Sequence, residues 1–162
     1  MSFKLIKYPD DKKQMYRLLK TQLTGLVDGV PHRTANLANA SALIWQALTE
    51  INWAGFYFIP ENYNKLVLGP FQGLPACIEI EIGKGVCGTA VAENAIQLVA
   101  DVHQFPGHIA CDSASNSEIV LPIHDKDGKV IGVLDIDSPV LNRFDEDDKN
   151  GLAELVKIIE EM

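Results

Sequence analysis

The stretch EIVLPIHDKDGKVIGVLDID at residues 118–137 constrains the chain most, because its pattern is that of an antiparallel β-hairpin. Strand-forming residues fill 118–124 and 129–137, and Asp125, Lys126, Asp127 and Gly128 between them supply a turn. Residues two apart on a strand share a face, so Asp135 and Asp137 project together and Glu118 on the neighbouring strand can join them. Carboxylates crowded in this way raise one another's pKa, so that one can hold a proton near neutral pH while the others bind an ammonium group. A solvated rim of acids is the competing reading in a chain with 22 Asp and Glu against 14 Lys and Arg.

The remaining segments supply partners for this hairpin. From about Asp11, Met15, Leu18, Leu19, Leu23 and Leu26 recur at helical spacing until Gly29 and Pro31 stop the pattern. A second helical stripe comprises Leu37, Ala40, Ile44, Ala47, Leu48 and Ile51, with Thr34 a candidate cap. Residues 52–59 (NWAGFYFI) predict a strand, 60–64 a turn, and 65–68 the start of a second strand. Trp53, Gly55 and Tyr57 then share one face, and Ala54, Phe56 and Phe58 the other. Trp53 and Tyr57 can line a pocket with Gly55 leaving space between them, or simply pack in a core. The alternation IEIEI at 78–82 predicts a strand with one wet face, 86–94 a short helix, and 96–100 a further strand. Residues 101–117 read as one long loop, and 145–162 as a closing helix capped near Asp145, with Leu152, Leu155, Val156 and Ile159 buried. An α+β domain follows, spanning residues 1–162, with about six largely antiparallel strands flanked by helices.

A net charge of -8 with no basic stripe argues against nucleic acid or anionic lipid as partners. The N-terminus lacks the apolar core of a signal peptide and no apolar run approaches membrane-spanning length, so a cytoplasmic protein is expected. Three cysteines fit a secreted disulfide framework poorly, and in a reducing compartment free thiols more often do redox work or bind metal. Cys111 lies in the polar loop near His108, which suits a reactive thiol. Cys87 falls in the first turn of the short helix, where the helix dipole favours a thiolate. A zinc site built from Cys77, Cys87, Cys111 and either His103 or His108 is a weaker alternative, since no closely paired ligands are present.

Taken in order, NWAGFYF, GPFQGLPAC, GKGVCG, DVHQFPGHIACD, SEIVLP and GVLDIDSP resemble the free methionine-R-sulfoxide reductases, a family built on a single GAF domain. The resemblance spans nearly the whole chain. It departs mildly at Glu79 and Glu81, where the family often has a basic residue and a proline. It implies a GAF-like fold and thiol-dependent reduction of free L-methionine (R)-S-oxide to L-methionine, through a cysteine sulfenic acid and an intramolecular disulfide. By position, Cys111 resembles the catalytic cysteine and Cys77 and Cys87 the resolving pair, with Cys77 the first choice as direct partner. Glu118, Asp135 and Asp137 match substrate-binding acids, Glu118 also being the candidate proton donor, and Trp53 and Tyr57 match aromatics that hold the methyl end. The resemblance further implies a homodimer, thioredoxin as external reductant, and no bound cofactor or metal. A non-catalytic GAF domain that senses a small ligand is the rival reading.

Overall fold

The structure, a computed structural model, describes residues 6–108 and 112–162. Six strands form one sheet: β1 (Trp53–Phe58), β2 (Lys65–Gly73), β3 (Glu79–Glu81), β4 (Gln97–Val99), β5 (Ser117–His124) and β6 (Val130–Ser138). Their spatial order is β3-β2-β1-β6-β5-β4, and every neighbouring pair is antiparallel. The β5–β6 turn forms as its residues dictate: Gly128 takes a φ of +79°, and Asp125 Oδ1 accepts from the backbone N–H groups of Asp127 and Lys129.

Alternation along the strands divides the interior into two cores. On one side Ala54, Phe56, Ile119, Leu121, Ile123, Leu134 and Ile136 meet α1 (Lys12–Val27), α2 (Arg33–Ala47) and α4 (Glu146–Glu160). On the other, Trp53, Tyr57, Leu66, Val120 and Val133 meet α3 (Gly85–Glu93) and the residues around Val102. The two faces assigned to β1 are thus the observed ones. The helical side is ordinary packing, which leaves the α3 side for the site.

Several boundaries move, each for a local reason. The second helix begins at Arg33 with His32 as an N-cap that makes no side-chain bond, so Thr34 lies inside the first turn and does not cap it. It ends at Ala47, and Ile51 reaches the core from beyond the helix. β2 continues to Gly73, well past Leu68, because it pairs with the whole of β1 as far as Trp53 opposite Gly73. In IEIEI only Ile80 is buried; Ile78 and Ile82 are exposed, since β3 is a three-residue edge strand whose ends nothing covers. Glu79 is exposed there and accepts from Tyr63 Oη and Lys65 Nζ. The 101–117 loop contains a 3-10 turn, Val102–Gln104, that buries Val102 completely, and Ser117 already belongs to β5.

Asp148 joins the outer helices to one another. Fully buried in the first turn of α4, it accepts from Tyr16 Oη at 2.9 Å, Lys12 Nζ at 2.5 Å and Arg143 Nη1 at 3.4 Å, and closes a capping box with Asp145. Asp148→Ala takes the acceptor from the Tyr16 phenol and the buried carboxylate from Lys12 and Arg143, which keep only Asp145 and Thr49 O, and is expected to lower stability by about 3 kcal/mol in urea unfolding. Because this cluster lies on the far side of the sheet from α3, the folded fraction should keep its site chemistry.

Candidate functional site

Strand register assembles the site. Across β1 and β6, Trp53 stands opposite Asp137 and Gly55 opposite Asp135; across β5 and β6, Glu118 stands opposite Asp137 and Val120 opposite Asp135. Glu118, Asp135 and Asp137 therefore emerge together on the α3 side; the solvated-rim reading is overturned for Glu118 and Asp135, both 6% exposed, while Asp137 is half-buried. The first turn of α3 lowers Cys87 onto them. Its Sγ and one carboxylate oxygen each from Glu118 and Asp135 lie within 4.8 Å of one another. His108, Asp112 and Ser115 from the loop and Leu74, Pro75 and Ala76 from the β2–β3 connection complete the cavity wall.

No lysine or arginine lines this cavity among the described residues. Burial, then the charges of Asp135 and Asp137, pushes Glu118 well above the usual carboxylate range, and burial followed by Asp135 does the same to Asp137. Asp135 is raised less, to about 6, because Cys87 and Glu118 direct hydrogen bonds to it that offset part of its desolvation. At neutral pH Asp135 is thus the anion of the cluster, with Glu118 as a protonated neighbour. Its Oδ1 is buried without a partner among the described residues. Burial and the same carboxylates raise the Cys87 thiol well above its ordinary value, so the thiolate expected from the helix dipole does not form. A dipole effect of about 1 kcal/mol is outweighed by desolvation beside an anion. His108 is lowered by burial and by His103, so its Nε2, 3.8 Å from Glu118 Oε2, faces that group as a neutral ring.

The aromatic wall stacks in series, with Tyr57 5.7 Å and Phe71 5.2 Å from the Trp53 ring centre. Gly55 does not leave space between Trp53 and Tyr57 for a ligand, as its residue type suggests. A Cβ there would overlap Phe71, which pairs with Gly55 across β1 and β2. The outer edges of the aromatics are tethers: Trp53 Nε1 donates to Leu74 O at 3.2 Å, and Tyr57 Oη donates to Cys77 O at 2.9 Å. They hold the segment carrying Cys77, which is disulfide-bonded.

The structure thus brings together Trp53, Tyr57, Cys87, Glu118, Asp135 and Asp137, all named from sequence, around one cavity. Cys111 lies outside the described residues. The zinc set is not assembled among those described: Cys77 is in a disulfide and His103 Nε2 pairs with Asn116 Oδ1. Sequence reasoning missed Phe71, hidden in an apparent loop, and Asn52, whose Nδ2 donates to Asp112 Oδ2 and Ser115 Oγ and pins the returning end of the loop. A polar residue just before an aromatic strand carries no signal of that role.

A curled antiparallel sheet with helices on one face and a cleft under a short helix on the other defines a GAF domain, and residues 34–161 match the GAF domain family. The chain is 53% identical over 152 residues to free methionine-R-sulfoxide reductase of Escherichia coli, covering 94% of this chain and 90% of that one. It is 48% identical over 154 residues to the enzyme of the same name from Saccharomyces cerevisiae, covering 92% and 86%. It superposes with a TM-score of 0.93 and 44% identity on the Neisseria meningitidis free methionine-R-sulfoxide reductase solved in complex with its substrate, covering 99% of this chain and 95% of that one. The chain belongs to the free methionine-R-sulfoxide reductase family of GAF-domain proteins.

Burying Asp135 ties stability to pH. Its pKa rises from 3.8 to about 6 on folding, so the folded state binds the proton more tightly and stability falls as pH climbs through that window. Asp135→Asn removes the buried charge. It is expected to stabilise the protein on the order of 2 kcal/mol at pH 7.5 and to have lost that advantage at pH 4, read as thermal midpoints at the two pH values.

Proposed function

We propose that the chain reduces free L-methionine (R)-S-oxide to L-methionine, and the observation that carries this reading is the cluster of buried Glu118 and Asp135 with half-buried Asp137, facing stacked aromatics near a disulfide-bonded Cys77. Asp135 and Asp137 receive the α-ammonium, a charge that a methionine within a peptide lacks. Trp53 and Tyr57 hold the methyl end. The Cys111 thiolate attacks the sulfoxide sulfur, forming an S–S bond, while the Glu118 carboxyl donates its proton to the sulfoxide oxygen; the hydroxyl then passes to Cys111 Sγ as the methionine S–O and the new S–S bonds break, releasing methionine and leaving Cys111 as a sulfenic acid. The raised pKa of Glu118 supports the donor role, since an ordinary carboxyl has no proton to give at pH 7.

The Cys77 thiol then condenses with the sulfenic acid, releasing water and forming the Cys77–Cys111 disulfide. Thiol exchange with a thioredoxin-type dithiol restores both. Cys87, buried and protonated, serves this scheme better as a second resolving thiol reached after rearrangement than as the direct partner. We place the enzyme in the cytoplasm as a homodimer, in keeping with its thiol chemistry and family; no described helix is long and apolar enough to cross a membrane. A ligand sensor has no need of a disulfide-bonded cysteine at its cavity.

Fully reduced protein, freed of reductant, tests the reading when mixed with the separate epimers of free methionine sulfoxide. Loss of about two thiols per chain with about one methionine formed is expected for the R epimer alone, and none in Cys111→Ser. Thiols unchanged by either epimer would instead favour the sensor. In steady state Glu118→Gln should lower kcat about 100-fold or more. Asp137→Asn should act chiefly on KM for the free amino acid, and unchanged kinetics there would remove Asp137 from the binding site.

A further inference from the structure

The Asp135 environment contains a thiol as well as carboxylates. Cys87 Sγ stands with an oxygen each of Glu118 and Asp135 inside 4.8 Å, all three residues buried, and Asp135 Oδ1 has no hydrogen-bond partner among the described residues. A thiol gains little from an ammonium ion, which it can only face as a weak acceptor, whereas thiolate is a strong ligand for a soft divalent cation. From this triad we infer that Cys87, Glu118 and Asp135 form a binding site for a thiophilic divalent cation of the zinc class, and that the ion and the substrate's ammonium group exclude one another.

The geometry is close to that required. An ion centred in a triangle with sides of 4.8 Å stands about 2.8 Å from each corner, so bonds of roughly 2.0–2.3 Å ask each group to move inwards by well under 1 Å. The three ligands come from α3, β5 and β6, each held by its own element, and three protein ligands are the number found where zinc keeps a position open. Charge favours the ion as well: Glu118, Asp135, Asp137 and Asp112 all line the cavity, no lysine or arginine among the described residues does so, and the one histidine, His108, is held neutral. Binding displaces the thiol and carboxyl protons, and the resulting thiolate and carboxylates are neutralised by the cation in place of water. This set shares only Cys87 with the four-residue zinc arrangement considered from sequence, and its carboxylates could be found only once the register was known.

The site itself does not depend on the reductase reading; the exclusion of substrate does, and the two are measured separately. Oxidised protein is used, with a thiol count of about one per chain confirming that the disulfide is closed and Cys87 is the available thiol. Titration with cadmium is expected to reach one equivalent and to produce the ultraviolet thiolate-to-cadmium charge-transfer band. Cys87→Ser should lose the band and weaken binding at least about tenfold, while Asp135→Asn should keep the band and still weaken binding about tenfold. A band that persists in Cys87→Ser, or wild-type protein that binds cadmium without one, overturns the site. Full affinity in Asp135→Asn overturns the carboxylate's part. Methionine binding followed by calorimetry, without metal, tests the ammonium reading by itself; where methionine binds, its failure to raise the apparent Kd for cadmium overturns the exclusion.

Discussion

Everything on the α3 side of the sheet depends on placing one anion, Asp135, beneath a helix with no lysine or arginine among the described cavity residues. Isolated, such a charge is costly. It is tolerated because Cys87 and Glu118 turn hydrogen bonds towards it and because burial and the neighbouring carboxylates push Glu118 and Asp137 well above the usual carboxylate range, which favours their neutral forms. The arrangement therefore contains both an acid and an anion made from one residue type, separated by environment alone. A cation entering the cavity meets the anion, and a developing oxyanion meets the acid.

The cluster's position is fixed by backbone pairing and not by flexible side chains. Trp53 opposite Asp137 and Gly55 opposite Asp135 set the aromatic wall against the acids, and a register slip of one residue would send the acids into the apolar core formed with α1, α2 and α4. Gly55 and Phe71 help hold this register, since only a residue without a Cβ leaves room for Phe71 against Trp53. Interdigitation of this kind makes the β1–β2 pairing part of the site even though Phe71 lies behind the ring that lines the cavity.

Much of this was legible in sequence, because period and turn chemistry are local. The β5–β6 hairpin, the shared face of Asp135 and Asp137, the two faces of β1 and the amphipathic α1 and α4 all follow from spacing, and the structure agrees. What could not be read depends on groups distant in sequence. Asn52 and Asp112 meet across 60 residues, and the protonation of Cys87 results from acids on β5 and β6. The dipole argument for Cys87 was sound for an exposed helix end, but burial decided the sign. Motif order reached further than spacing, because it was the resemblance that identified the family the comparisons show.

The floor and the wall of the cavity differ in how they are held, which bears on turnover. The acids sit on central strands whose hydrogen bonds are complete on both sides, whereas Cys77 rides a connection outside the sheet that Trp53 and Tyr57 tether by single hydrogen bonds to Leu74 O and Cys77 O. Making or breaking a disulfide at Cys77 can shift that connection by giving up one or two such bonds, each contributing about 1 kcal/mol, while moving an acid would disrupt the sheet. The same aromatics line the cavity and hold the backbone around Cys77, so a change at that disulfide reaches the aromatic wall before it reaches the acids.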